Sequence, residues 1–170
     1  RELWSLRDVS LQVERGGLLK MNPPLRAPAT REALLEAFRK NKIPFLATDH
    51  APHTLEEKLG DNPPSGVPLL DTHGLFVTWL LKKAKVAPEV VYQACCQRPA
   101  RFLKLNDRGH LRPGARADAV VLDLSTSHKL RASELATKCA WSPFEGVVFP
   151  GRVDSVLVGG RFVRRARAVV

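Results

Sequence analysis

The sequence predicts an α/β protein with a small β region after it, and three observations carry that expectation. Apolar residues recur every three and four positions in REALLEAFRK, the unbroken apolar run IPFLAT follows at once, and beyond about residue 104 the texture changes to short β segments around a Gly-Gly turn. GGLLKM, residues 16–21, reads as a strand stopped at Asn22-Pro23-Pro24, because consecutive prolines cannot continue a central strand. Thr30 is placed to cap a helix over 31–40, in which Leu34, Ala37 and Phe38 share a face, Glu36 precedes Lys40 by one turn and Asn41 can close the end. IPFLAT, 43–48, lacks alternation, as a strand covered on both faces does, and it presents Asp49 at its C-terminal end. HAPHTLEEKLGDNPPSGVPL is polar and rich in Pro and Gly, so it reads as a long functional loop. Helices are expected over about 70–83 and 88–97, the second with Pro88 in its first turn. AVVLDL, 119–124, is expected to be a strand, and VLV and RFV around Gly159-Gly160 a hairpin.

A length of 170 residues allows one domain or part of a larger one. The chain opens at Arg1 without a long apolar core or a small-residue cleavage site, so it carries no secretory signal pattern and is expected to begin within a longer protein. No stretch approaches the roughly 18 consecutive apolar residues of a membrane span. Cys95 and Cys96 are adjacent and Cys139 is remote, which makes neither a CxxC metal pattern nor a disulfide framework and fits a reducing, cytoplasmic setting. Lys and Arg outnumber Asp and Glu by 27 to 17, and nearly all the excess lies in 98–170. Those basic residues are scattered singly apart from the terminal RFVRRARAVV, without interleaved aromatics, so a solvated surface is expected rather than a nucleic-acid patch.

In parallel α/β folds reactive groups project from the C-terminal ends of strands. Asn22 and Asp49 fall at such ends, and the long loop adds His53 and the turn Ser65-Gly66. A carboxylate there can hold a metal through one oxygen and move a proton through the other. It can equally be a loop aspartate that accepts from backbone amides, and spacing leaves both readings open. His50 and His53 are three apart with Pro52 between, unlike a helical HExxH pair. His50 is expected to be structural, and His53 either a substrate contact or simply exposed. His73, His110 and His128 are dispersed and are not expected to act in catalysis. GxSxG, GxxxxGK[ST] and GxGxxG patterns are absent, and Cys95 and Cys96 lie in an apolar helical pattern that predicts burial rather than nucleophilic use.

Six strings in order, LKMNPPLR, FLATDHAPHTLEEK, NPPSGVPLLDT, QRPARFL, RPGARADAVVLDL and SPFEG, resemble the C-terminal part of the dihydroorotases, metal-dependent cyclic amidohydrolases, across roughly 18–163. The resemblance implies the C-terminal portion of a (β/α)8 barrel, its last strands and helices in 1–104, and part of a small β-sandwich-type domain in 105–170. It implies that Asp49 is a catalytic and metal-binding aspartate, that Asn22 and His53 contact substrate, that the Ser65-Gly66 backbone meets the pyrimidine ring, and that Arg26 is structural. The implied reaction is the reversible, zinc-dependent cyclisation of N-carbamoyl-L-aspartate to L-dihydroorotate in pyrimidine biosynthesis. The family's HxH pair and further histidines for one or two Zn²⁺ are not found here, and residues 1–15 give no match to its upstream histidine stretch. Catalytic zinc takes about three protein ligands, so the others are expected from an N-terminal remainder of the same protein. The other implied partners are the small-molecule substrate and a second copy or aspartate transcarbamoylase, with no nucleic acid and no membrane. Two alternatives stay open: an inactive dihydroorotase-like chain with an assembly role, and a related cyclic amidohydrolase such as an allantoinase.

Overall fold

The computed structural model describes residues 17–164. The expectations for residues 1–16 and for the end of the basic terminal run therefore lie outside the described residues.

Helix α1 (Pro28–Arg39) begins three residues earlier than expected, because the fixed φ of Pro28 suits a first helical turn; Thr30 is consequently inside the helix and does not cap it. Asn41 closes the end as expected, in the left-handed region at φ 59° with its amide donating to Phe38 O at 2.9 Å. The loop expected after Asp49 contains a short helix, α2 (Leu55–Leu59). A 3₁₀ turn (Leu70–Thr72) leads into α3 (His73–Lys82), which replaces the single helix expected there. The helix expected over 88–97 runs further: α4 (Pro88–Tyr92) passes through a π-helical turn (Gln93–Gln97) into α5 (Arg98–Phe102). Pro99 explains the wide turn, since its ring excludes the carbonyl of Cys95 four residues earlier and it has no amide to donate.

Two expected strands do not form. Residues 17–19 make a turn, in which the Lys20 amide donates to Gly17 O at 2.8 Å. Ile43–Thr48 belongs to no ladder among the described residues; Leu46 N–H instead donates to Ala94 O at 3.2 Å. A strand exists only through its neighbours, so apolar composition alone does not make one.

The C-terminal β expectations hold. β1 (Ala119–Asp123) pairs antiparallel with β4 (Arg152–Val158), and β4 with β5 (Arg161–Arg164), in the order β1-β4-β5. Gly159 and Gly160 have φ of 57° and 79°, both positive, as the two-residue turn of a tight hairpin requires. The expected β-sandwich-type arrangement is not present among the described residues. A sandwich needs two facing sheets, whereas β2 (His128–Lys129) and β3 (Val148–Phe149) have two residues each and β5 is exposed throughout.

The chain divides into two compact units that interleave in sequence. One comprises 17–37, Thr48–His73 and Lys129–Val147; the other comprises Phe38–Ala47, Gly74–His128 and 148–164. The first buries Leu19, Val67, Leu130, Trp141 and Phe144, and the second buries Leu75, Leu80, Val86, Val91, Ala94 and Phe149. Among the described residues no helix is long and apolar enough to cross a membrane.

Candidate active site

All five residues expected to act on substrate fall in the first unit. Three chain segments, ending at Asn22, starting at Asp49 and centred on Gly66, are tied together there by backbone bonds. The Gly66 amide donates to Lys20 O at 3.0 Å, and the Ala51 amide donates to Val67 O at 3.2 Å. Gly66 has φ +134°, and a Cβ there would lie 2.6 Å from Ala51 Cβ and 2.8 Å from Ala51 O, so the close approach requires glycine.

Asp49 also has a positive φ, 48°, which an aspartate tolerates better than most residues. It is exposed, and its carboxylate makes no hydrogen bond or ion pair among the described residues. Among the described residues no backbone amide donates to it, and both oxygens are without a partner there. His50 behaves as a structural histidine: its Nδ1 accepts from the Leu69 and Leu70 amides, each at 3.1 Å, so the ring proton sits on Nε2. His53 is half-buried, and its Nε2 donates to Ser65 O at 3.2 Å. The structure thus brings His53, Ser65 and Gly66 together, with Asp49 and Asn22 on the adjoining ends of the same pinned segments. Asn22 is exposed. Arg26 is exposed too and makes no hydrogen bond or ion pair among the described residues, so a structural role for it is not seen.

Two contributors were not anticipated. The first is Lys58, which is fully buried at 0% exposure and donates from Nζ to Lys20 O, Pro64 O and Gly66 O, each at 2.9 Å. Loss of water around it, and then nearby Lys20, hold its pKa below the usual lysine value. A capping box puts it there: Thr54 Oγ1 accepts from the Glu57 amide at 3.1 Å and Glu57 accepts from the Thr54 amide at 2.7 Å. The T-x-x-E spacing of TLEE is a legible signal for that helix start. The bond from the Thr54 amide is also the main reason the Glu57 carboxyl lies below its ordinary value. The second is Trp141, buried, whose Nε1 donates to His53 O at 2.8 Å. Its own segment is anchored by Asp71, which accepts from the Ala136 and Thr137 amides at 3.1 Å each.

The remaining candidates separate cleanly from this cluster. Burial, then the neighbouring Cys96, pushes the Cys95 thiol up to about 11, so it stays protonated near neutrality. Cys96 itself is exposed, contrary to expectation. A cavity of about 340 Å³ lies within the second unit, lined by Tyr92, Gln97, Arg101, Arg108, His110 and Arg112 among others. It contains none of the expected residues, and cavity size is a weaker guide here than the free carboxylate. Among the described residues no three His, Cys, Asp or Glu side chains stand close enough to hold a metal. His50 Nδ1 is already engaged, whereas Asp49 has no partner among the described residues and His53, with Nε2–H on a carbonyl, keeps Nδ1 unprotonated; these two groups do not by themselves make a catalytic metal centre.

The chain belongs to the amidohydrolase family, whose pattern it matches over residues 13–163. Within that family it is similar to dihydroorotases: it is 39% identical over 148 residues to that of Pyrobaculum aerophilum, covering 85% of this chain and 36% of that protein. The dihydroorotase of Halobacterium salinarum is 37% identical over 131 residues, 76% of this chain and 31% of that one. Among solved structures, the L-hydantoinase (dihydropyrimidinase) of Arthrobacter aurescens superposes with a TM-score of 0.81 at 26% identity, covering 95% of this chain and 38% of that one. The chain spans about a third of the length of the curated relatives it matches.

Proposed function

We propose that this chain supplies the proton-transfer and substrate-positioning residues of a dihydroorotase, which interconverts N-carbamoyl-L-aspartate and L-dihydroorotate with loss or gain of one water. The single observation behind this reading is the unpartnered Asp49 carboxylate on a segment bonded to the His53, Ser65 and Gly66 cluster. Similarity to dihydroorotases supports this substrate over other cyclic amides.

In the ring-opening direction water adds to the ring amide carbon and the C–N bond breaks. Asp49 takes the proton that the attacking water loses and delivers it to the departing nitrogen, so a single carboxylate serves as base and then acid. Ring closure runs the same steps backwards. Asn22 and His53 orient the substrate carboxylate, and the Ser65-Gly66 backbone lies along the ring's amide edge; such positioning supplies part of the roughly 7–11 kcal/mol available from holding reactants in place. A bound zinc ion would polarise the ring carbonyl and acidify the water; Asp49 would be one ligand, and the rest would come from polypeptide outside these 170 residues. The family's barrel would likewise be completed by that polypeptide.

The test is Asp49→Asn in the full-length protein. We expect kcat to fall by about 100-fold or more, with the far-ultraviolet circular dichroism unchanged; near-normal turnover would refute the proton-transfer role. His53→Ala is expected to raise KM while leaving metal content intact, and a loss of metal on elemental analysis would show that His53 is a ligand instead. Turnover of allantoin in place of dihydroorotate by the unaltered protein would favour the allantoinase alternative.

A further inference from the structure

We infer that Lys58 is a positioning residue, whose ammonium sets the Pro64–Gly66 backbone for substrate by holding it against the segment that leads into Asn22. This rests on the dihydroorotase reading above. Lysine is almost never fully buried without a charged partner, yet Lys58 has 0% exposure, and three carbonyl oxygens face its ammonium where a carboxylate would be expected. An ammonium has three N–H donors, and the acceptors Lys20 O, Pro64 O and Gly66 O stand at 2.9 Å each, so donors and acceptors match one to one. Charge-assisted bonds of this kind offset the loss of water around the charge.

The three carbonyls belong to two segments far apart in the chain, and the placement of two of them decides what Lys58 does. Pro64 O lies on the peptide group before Ser65 and Gly66 O on the one after Gly66, so holding both brackets the Ser65–Gly66 peptide group from its two sides. Ser65 O in turn receives His53 Nε2–H at 3.2 Å, which links the ammonium to the ring orientation of a proposed substrate contact. The Gly66 amide keeps its separate bond to Lys20 O at 3.0 Å. Removing the ammonium would therefore leave the turn attached but free to tilt, a change that weakens substrate binding more than the chemical step. A planar guanidinium cannot converge on three carbonyls arranged around a point charge, so arginine is not an equivalent replacement.

The experiment compares full-length wild type with Lys58→Met and Lys58→Arg in steady-state turnover of dihydroorotate, alongside metal content. We expect KM to rise tenfold or more in both variants, kcat to stay within about threefold, and metal content to stay equal to wild type. A KM unchanged in folded Lys58→Met, or a fall confined to kcat, overturns the inference and leaves the parent reading intact. Restoration of a wild-type KM by Lys58→Arg overturns it as well, because any buried cation would then suffice. If Lys58→Met does not fold, Lys58→Gln, with two N–H donors, is measured in its place and is expected to give a KM between wild type and tenfold above it. Failure of both neutral variants to fold marks Lys58 as purely structural. Absence of dihydroorotate turnover in the wild type overturns the parent reading, and this inference with it.

Discussion

At single residues, the site is held by contacts that tolerate little change. Gly66→Ala forces a Cβ to within 2.6 Å of Ala51 Cβ and 2.8 Å of Ala51 O at φ +134°, so a cost of about 1–3 kcal/mol or more is expected. The check is a lowered Tm together with a raised KM in the full-length protein. Trp141→Phe keeps an aromatic ring but removes the donor to His53 O at 2.8 Å, which is expected to cost about 1 kcal/mol, read by chemical denaturation. Much of this cluster was legible from residues in order: Asp49, His53, Ser65 and Gly66 were singled out by strand-end and turn logic together with the dihydroorotase resemblance. Lys58 was not, because a lysine in a polar stretch reads as surface until three carbonyls are found converging on it.

At the level of elements, α2 is too short to be stable without its capping box. Thr54→Ala removes the acceptor for the Glu57 amide and is expected to cost about 1 kcal/mol, with faster hydrogen exchange at the Glu57 and Lys58 amides. The β1-β4-β5 sheet carries its own acid sensitivity. Asp118 is held below its ordinary 3.8 chiefly by the Gly159 amide and then by Arg116, and Asp123 is lowered chiefly by the Ser125 hydroxyl and amide. Both folded values are depressed, so their contribution is present above the ordinary carboxylate range and is lost as pH falls through the folded values. Tm should therefore be insensitive to these two groups between about pH 5 and 8 and fall below about pH 4. Asp118→Asn should blunt that acid limb in a Tm-against-pH series. Local pattern sufficed for α1 and for the Gly159-Gly160 hairpin, whose stabilising contacts are near in sequence. It did not suffice for 43–48, where the outcome depends on a partner strand that no local pattern reveals.

For the molecule as a whole, several large apolar side chains face solvent: Leu111 is 82% exposed, Phe102 73%, and Leu34 and Leu103 62% each. These 170 residues, expressed by themselves, are expected to bind a hydrophobic dye strongly and to sediment as species larger than 18.8 kDa. The order of NPPLR, TDHAPH and PPSG pointed to the family that the match over residues 13–163 shows, and it singled out Asp49 as the candidate acid, because those residues carry chemistry that few alternatives satisfy. Tertiary structure alone decided that the acid is unpartnered, that His50 is spent on two amides, and that a buried lysine aligns the glycine turn. The last two depend on groups 6 to 38 residues apart meeting within hydrogen-bond distance, and periodicity does not report which loop groups will meet.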